Sequence, residues 1–191
     1  MTRQTAHPIT HQTLTASNRS AREVARLLAA GDLSPAYQRG SVWTDDQRIG
    51  LIRSWLIGMP IPAVIINDRL APPWPKAVDG FPLGNHLYGV IDGKQRIETA
   101  IAWFDGLLPV PASWFPAEQV ADTTVTDDGL YVTYQQLTPT GQRLFTNRAL
   151  LPVIETAVGT IAEEADLYLL VNAAGTQQTE ADLANAKLIS E

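Results

Sequence analysis

The stretch Val90-Ile91-Asp92-Gly93-Lys94-Gln95-Arg96 constrains this chain more than any other. Apolar residues between Leu87 and Ile91 predict a strand. The spacing of Ile97, Ala100, Ile101 and Phe104 predicts a helix directly behind it, ended by Gly106. Only Asp92-Gly93 remains to turn the chain, and glycine both permits that turn and lets a ligand approach the backbone. A strand feeding a glycine turn and a helix start offers backbone N–H groups and the positive end of the helix dipole to an anion. Lys94 and Arg96 add two cations there. Arginine grips a phosphate through paired donors, whereas lysine acts as a point charge. Asp92 can hold a divalent metal attached to that phosphate, or simply cap the helix. A capped helix with surface Lys and Arg accounts for the same pattern, and the spacing alone does not separate the two.

Around this stretch the elements are short and mixed. Ser20-Ala21-Arg22-Glu23 has the form of a capping box, followed by Val24, Leu27 and Leu28 at helical spacing, and Gly31 ends that helix. Thr44-Asp45-Asp46-Gln47 is a second capping box, opening a helix through Ile49, Ile52 and Leu56 that stops at Gly58. Pro60-Ile61-Pro62 leads to a strand from Ala63 to Ile66. Residues 67–85, rich in Pro, Gly and Asp, read as a loop or lid. Residues 107–129 read as irregular. Further strands are expected at Tyr131–Tyr134 and Leu150–Ile154, with a helix starting at Pro139 and running to about Phe145. Two last helices are expected, Glu163–Val171 and one capped by Thr179 through Leu183 and Leu188. The expectation is an α+β domain, a small mixed sheet flanked by helices, without the regular alternation of a doubly wound sheet. Residues 1–19 are expected to be a flexible arm and residues 20–191 a single domain.

Composition narrows the function classes. The chain has 191 residues, 45% hydrophobic and 18% charged, which suits one globular domain. It has no cysteine, which excludes disulfides, thiolate zinc sites and cysteine nucleophiles. Trp55 to Asn67 is uncharged but broken by Gly58, Pro60 and Pro62, so no membrane span is expected. Met1 to Ser20 lacks the apolar core of a secretory signal, so a cytoplasmic location is expected. The net charge is −6. Residues 1–60 carry seven arginines against Glu23, Asp32, Asp45 and Asp46, a net of +3, which leaves −9 for the rest. A nucleic-acid contact, if present, belongs on the basic front, with Arg19, Arg22, Arg26, Arg48 and Arg53. The histidines His7, His11 and His86 do not form a metal set, and neither a P-loop nor a dinucleotide fingerprint occurs.

Two other segments carry candidate residues. In Pro35-Ala36-Tyr37-Gln38-Arg39, with Trp43 beyond, Gln38 offers an amide for a base edge or hydroxyl and Arg39 a third phosphate ligand. Tyr37 and Trp43 can stack on a base. Equally, both rings can bury apolar area while Arg39 pairs with a carboxylate such as Asp92. Asn172, with Gly175 and Thr176, lies in a polar turn between the last helices and can serve only to end the first of them.

The order of these pieces resembles a known family. Pro35-x-Tyr37-Gln38-Arg39-x-x-Val42-Trp43, Gly58-Met59-Pro60-Ile61-Pro62, Ile91-Asp92-Gly93-Lys94-Gln95-Arg96 and Leu170-Val171-Asn172-x-x-Gly175 are similar to the N-terminal domain of GmrSD-type modification-dependent restriction systems. That family is known by an Asp-Gly-Gln-Gln-Arg motif and is placed in the ParB/sulfiredoxin-like superfamily. The resemblance covers roughly residues 20–190 and implies a nucleoside-triphosphate-binding, often hydrolysing, domain of anti-phage defence. By this resemblance Asp92, Gly93, Gln95 and Arg96 form the nucleotide-site turn, Gln38 and Arg39 face it, and Asn172 matches the late Asn. Lys94 stands where the family usually has Gln, and Ile97-Glu98-Thr99 replaces its Leu-Thr-Thr-like continuation.

The expected roles follow. Gly93 amides, Lys94, Arg96 and Arg39 hold phosphates, with Tyr37 and Asn172 beside them. Gln38 and Gln95 orient a hydroxyl or water, and Asp92 manages Mg²⁺ or its water shell. Two-part members of the family continue into an HNH-type nuclease region, which nothing here supplies. DNA cleavage is therefore expected to need a separate nuclease subunit, with DNA reached through it. The alternative is a non-catalytic DNA- or protein-binding module that keeps the fold.

Overall fold

The computed structural model describes residues 11, 14–38, 40, 42–77, 80–84 and 86–173. Strand β1 (Thr15–Ser20) runs straight into helix α1 (Ala21–Leu28), and a loop leads to α2 (Asp45–Ile57). Strands β2 (Val64–Asp68) and β3 (Tyr88–Asp92) follow, and a single residue separates β3 from α3 (Lys94–Phe104). Short strands β4 (Val110–Pro111), β5 (Thr124–Thr126) and β6 (Gly129–Val132) precede α4 (Pro139–Arg148), β7 (Leu150–Thr156) and α5 (Ile161–Ala173).

The main sheet has the order β1-β7-β2-β3. β1 and β7 are antiparallel, β2 and β3 are antiparallel, and β2 lies parallel to β7. A second sheet, β4-β6-β5, stands apart from it. Mixed strands with helices confirm the α+β expectation. Among the described residues no helix is long and apolar enough to cross a membrane.

Alternation along the strands divides the interior in two. Val64, Ile66, Val90, Leu151 and Val153 face the main core, where Val24, Leu28, Ile52, Trp55, Ile97 and Phe145 from α1–α4 meet them. Trp103 of α3 lies at the aromatic centre of that core, with ring centroids 5.2 Å from Phe145 and 6.0 Å from Tyr134. Ile65 and Ile91 point the opposite way, into a smaller cluster with Tyr37, Ala165 and Tyr168. The sheet is thus covered by α1–α4 on one face, and by α5 and the Tyr37 loop on the other.

The helix ends test the capping expectations. Thr44 caps α2 as expected: its hydroxyl accepts from Gln47 N, and the Gln47 side chain accepts from Thr44 N. Gly58 closes α2 at φ 74°. Pro139 opens α4 at its first turn. Ser20, by contrast, precedes α1 but makes no side-chain cap. The first amide of α1, Ala21 N, instead donates to Ala149 O at 2.7 Å. The Ser20 hydroxyl, which a cap would aim at the second or third amide of the helix, is turned to Thr146 O at 3.5 Å.

Three further expectations change. Residues 15–19 do not belong to an arm but to β1, whose register pairs Thr15–Ser20 with Leu150–Glu155. This is an edge strand, half exposed and polar, so it lacks the alternation that marks a strand in sequence. The strand expected at Tyr131–Tyr134 is Gly129–Val132, and Tyr134 begins a 3-10 turn. The irregular stretch 107–129 contains β4 and β5. The Thr179-capped helix lies outside the described residues.

Candidate functional site

Gly93 is required by both conformation and packing. Its φ is 94°, and a Cβ placed there would come within 2.5 Å of Val64 Cγ1. Strand β2 therefore presses against the β3–α3 junction, and only glycine lets the chain pass.

The first turn of α3 then sets out the two cations. Lys94 is buried, 7% exposed. Its ammonium donates to Ser34 Oγ at 2.6 Å and lies 3.8 Å from Glu98 one turn later. Arg96 donates through one terminal nitrogen to Asp92 Oδ2 at 2.6 Å and to Ala63 O at 3.1 Å. Its Nε is buried and has no hydrogen-bond partner. The Arg96 side chain is 14% exposed, and a buried Nε–H without an acceptor is costly, so this group can take an anion.

The loop after α1 is clamped across this junction. Gln38 Nε2 donates to Val90 O and, at 3.1 Å, to Ile91 O, a residue 53 positions away. Gln95 Oε1 accepts from the backbone N–H groups of Val42 and Trp43, each at 3.2 Å. Residues distant in sequence are therefore one constellation. Both glutamines spend amide groups on holding it together. Arg39 lies outside the described residues.

Tyr37 departs from the base-stacking expectation. It is fully buried, with its ring 5.5 Å from Tyr168. Its hydroxyl lies 3.1 Å from Glu164 Oε2 and 3.2 Å from Val90 O, with one proton to share between them. Burial first, and the Glu164 carboxylate second, push its phenol far above the ordinary value. Trp43 is half-buried and packs against the main core, so it too serves packing. Asn172 lies within the last turn of α5 rather than in a turn between helices. Its amide donates to Tyr168 O at 2.7 Å, which leaves its own helix as its partner.

A second cluster, behind the sheet, was not visible in the sequence. Arg69, 2% exposed, grips Glu164 with two donors, Nε to Oε1 at 2.8 Å and Nη2 to Oε2 at 2.6 Å. Asp32 Oδ2 accepts from its third nitrogen at 3.3 Å, and the guanidinium lies 4.5 Å from the centre of the Trp74 ring. Asn67 adds a donor to Glu164 Oε1 at 2.8 Å. Burial alone would lower the Arg69 pKa, but the Glu164 hydrogen bond and charge raise it above the ordinary value. Gly89 makes the space, since a Cβ there would meet Glu164 Oε1 at 2.6 Å. A lone arginine after a strand and one of two adjacent glutamates in a helix carry no periodic signal, so only the fold could pair them.

The donor set suits an anion. Among the described residues no group of three or more His, Asp or Glu stands ready to hold a metal. Asp92 is the one carboxylate at the turn, and one of its oxygens is engaged by Arg96. A divalent ion could take only that residue as a protein ligand, with phosphate oxygens and water completing its shell.

The chain belongs to the GmrSD restriction endonuclease N-terminal domain family, whose sequence profile matches residues 24–189. Neither a curated protein nor a solved structure matches it.

Proposed function

We propose that this domain binds a nucleoside triphosphate at the start of α3, hydrolyses it, and works within a GmrSD-like defence system alongside a separate nuclease subunit, in the cytoplasm. The observation that carries this is Arg96. It is locked in place by Asp92 and Ala63, yet keeps a buried Nε without a partner, directly beside a helix N-terminus. Arg96 and the α3 amides hold phosphate, with Lys94 one residue away adding charge. Asp92 would hold Mg²⁺ together with the phosphates, and the ion would supply charge neutralisation of the transferring group. Gln38 and Gln95 keep the loop against the junction and position whatever enters it. The ParB/sulfiredoxin-like assignment fits a small mixed sheet with helices on both faces.

Titration calorimetry with MgATP and MgGTP, and phosphate release from each, test this against Arg96→Ala. Wild type is expected to bind one of them, and the variant to lose about 2–4 kcal/mol of binding, as for a buried charged partner removed. Binding that survives Arg96→Ala unchanged, or no binding of any triphosphate, rules the proposal out. A second possibility, a non-catalytic DNA- or protein-binding module, draws on a specific observation. Gln38, Gln95, Lys94 and Asp92 all have internal partners. A salt-dependent DNA shift without phosphate release is the result expected in that case.

A further inference from the structure

A groove of about 310 Å³ lies between α2, the 3-10 turn Ala112–Trp114 and the end of α4. Its apolar wall is Leu56, Ile57, Trp114 and Pro116, and its cations are Arg53 and Arg148. It is far in sequence from the Asp92–Arg96 turn and shares no residue with it.

Three features separate this groove from ordinary surface. No Asp or Glu lines it. Arg148 makes no hydrogen bond or ion pair among the described residues, and the contact recorded for Arg53 is with the Trp114 ring, 5.9 Å from its centroid. Two unpaired guanidiniums in a chain of net charge −6 are a local excess of positive charge. Finally, the apolar wall is left open to solvent at Ile57, which is 64% exposed. Exposed aliphatic residues rimmed by charge mark a contact surface for another molecule. Arginine and tryptophan together are the side chains that carry most energy at protein interfaces.

We infer that this groove docks a short acidic-apolar segment of a partner protein. One apolar side chain of the segment enters between Leu56, Ile57 and Pro116, and flanking carboxylates reach Arg53 and Arg148. The guanidiniums suit carboxylates because each offers two parallel donors. The aliphatic wall favours a peptide over nucleic acid, whose affinity is chiefly a phosphate-charge term without use for Leu56 or Ile57. This surface is independent of nucleotide binding and stands or falls separately from it.

The test uses a labelled peptide, Asp-Glu-Leu-Phe-Asp-Glu, titrated into the isotopically labelled chain. Lys-Lys-Leu-Phe-Lys-Lys is the first comparison arm. The second is a single strand of about 12 nucleotides, within the span one nucleic-acid-binding domain covers. The Trp114 indole resonance, identified by its loss in Trp114→Phe, and the Ile57 methyl resonances are expected to shift with the acidic peptide and not with the basic one. Arg53→Glu combined with Arg148→Glu is expected to weaken that binding at least about tenfold, as for charge reversal at an interface. Both side chains are exposed, so the melting temperature should hold; Arg148→Gln alone serves should the pair unfold the chain. The inference is overturned if the acidic peptide leaves Trp114 and Ile57 unshifted, or if the charge-reversed chain binds it equally. It is also overturned if the oligonucleotide shifts these resonances and the peptide does not.

Discussion

Tyr37 keeps its proton because burial and the Glu164 carboxylate disfavour a phenolate by more than the Arg69 charge favours it. Its hydroxyl lies between a strand carbonyl and a carboxylate, and its ring is buried. The folded state therefore holds this proton more tightly than the unfolded chain, whose phenol titrates at about 10. Below that value both states are protonated and the full contribution is present. Above it the unfolded chain gives up its proton first, so stability falls as pH rises. Tyr37→Phe removes both the hydrogen bonds and the titration. Near neutral pH it should be about 1–2 kcal/mol less stable than wild type. In the alkaline range its stability should fall about 1.4 kcal/mol per pH unit less steeply. Urea midpoints followed from neutral pH into the alkaline range measure both, and parallel curves for the two proteins would refute the linkage.

At the scale of elements, two sequences of the same form behave differently. Thr44 and Gln47 satisfy each other's backbone donors at the start of α2, whereas Ser20 makes no side-chain cap and turns its hydroxyl to Thr146 O. Thr44→Ala should cost about 1 kcal/mol, the usual worth of such a cap. Ser20→Ala should cost less than about 0.5 kcal/mol, in the range of surface substitutions. Chemical denaturation of the pair decides the matter, and equal costs would show that both caps act alike. The same contrast measures how far sequence reaches. Capping boxes, terminating glycines and the strand-Gly-helix junction are local, and α2, α3 and α4 begin within a residue of their signals. Strand β1 is not local, since its pairing energy comes from the open edge of β7, far along the chain (Thr15 against Glu155, Ser20 against Leu150).

For the molecule as a whole, the sheet separates a large aromatic core from a small polar-centred one, and Glu164 joins α5 to the second face. It bonds Arg69, Asn67 and Tyr37 at once, so strands, loop and helix share one carboxylate. Glu164→Gln leaves the Arg69 guanidinium buried with Asp32 as its remaining acid, and a loss of about 3–5 kcal/mol is expected. Hydrogen exchange should place the loss: amides of α5 lose protection first, while those of α1 and α2 keep theirs. Uniform loss across all helices would mean that the two faces fold as one unit.

The sequence by itself determined the α+β class, the helix starts and stops that rest on caps and glycines, and the Asp92–Arg96 turn with its family. These depend on neighbours within a few residues, where sequence spacing is spatial spacing. Only the tertiary structure decided that Tyr37 is buried, that Gln38 and Gln95 brace a loop, that Lys94 bonds Ser34, and that Arg69 and Glu164 form a buried pair. Each of these depends on which strands lie side by side and which face of the sheet a residue takes. Alternation sends Val90 to one core and Ile91 to the other, and no local pattern says what waits there.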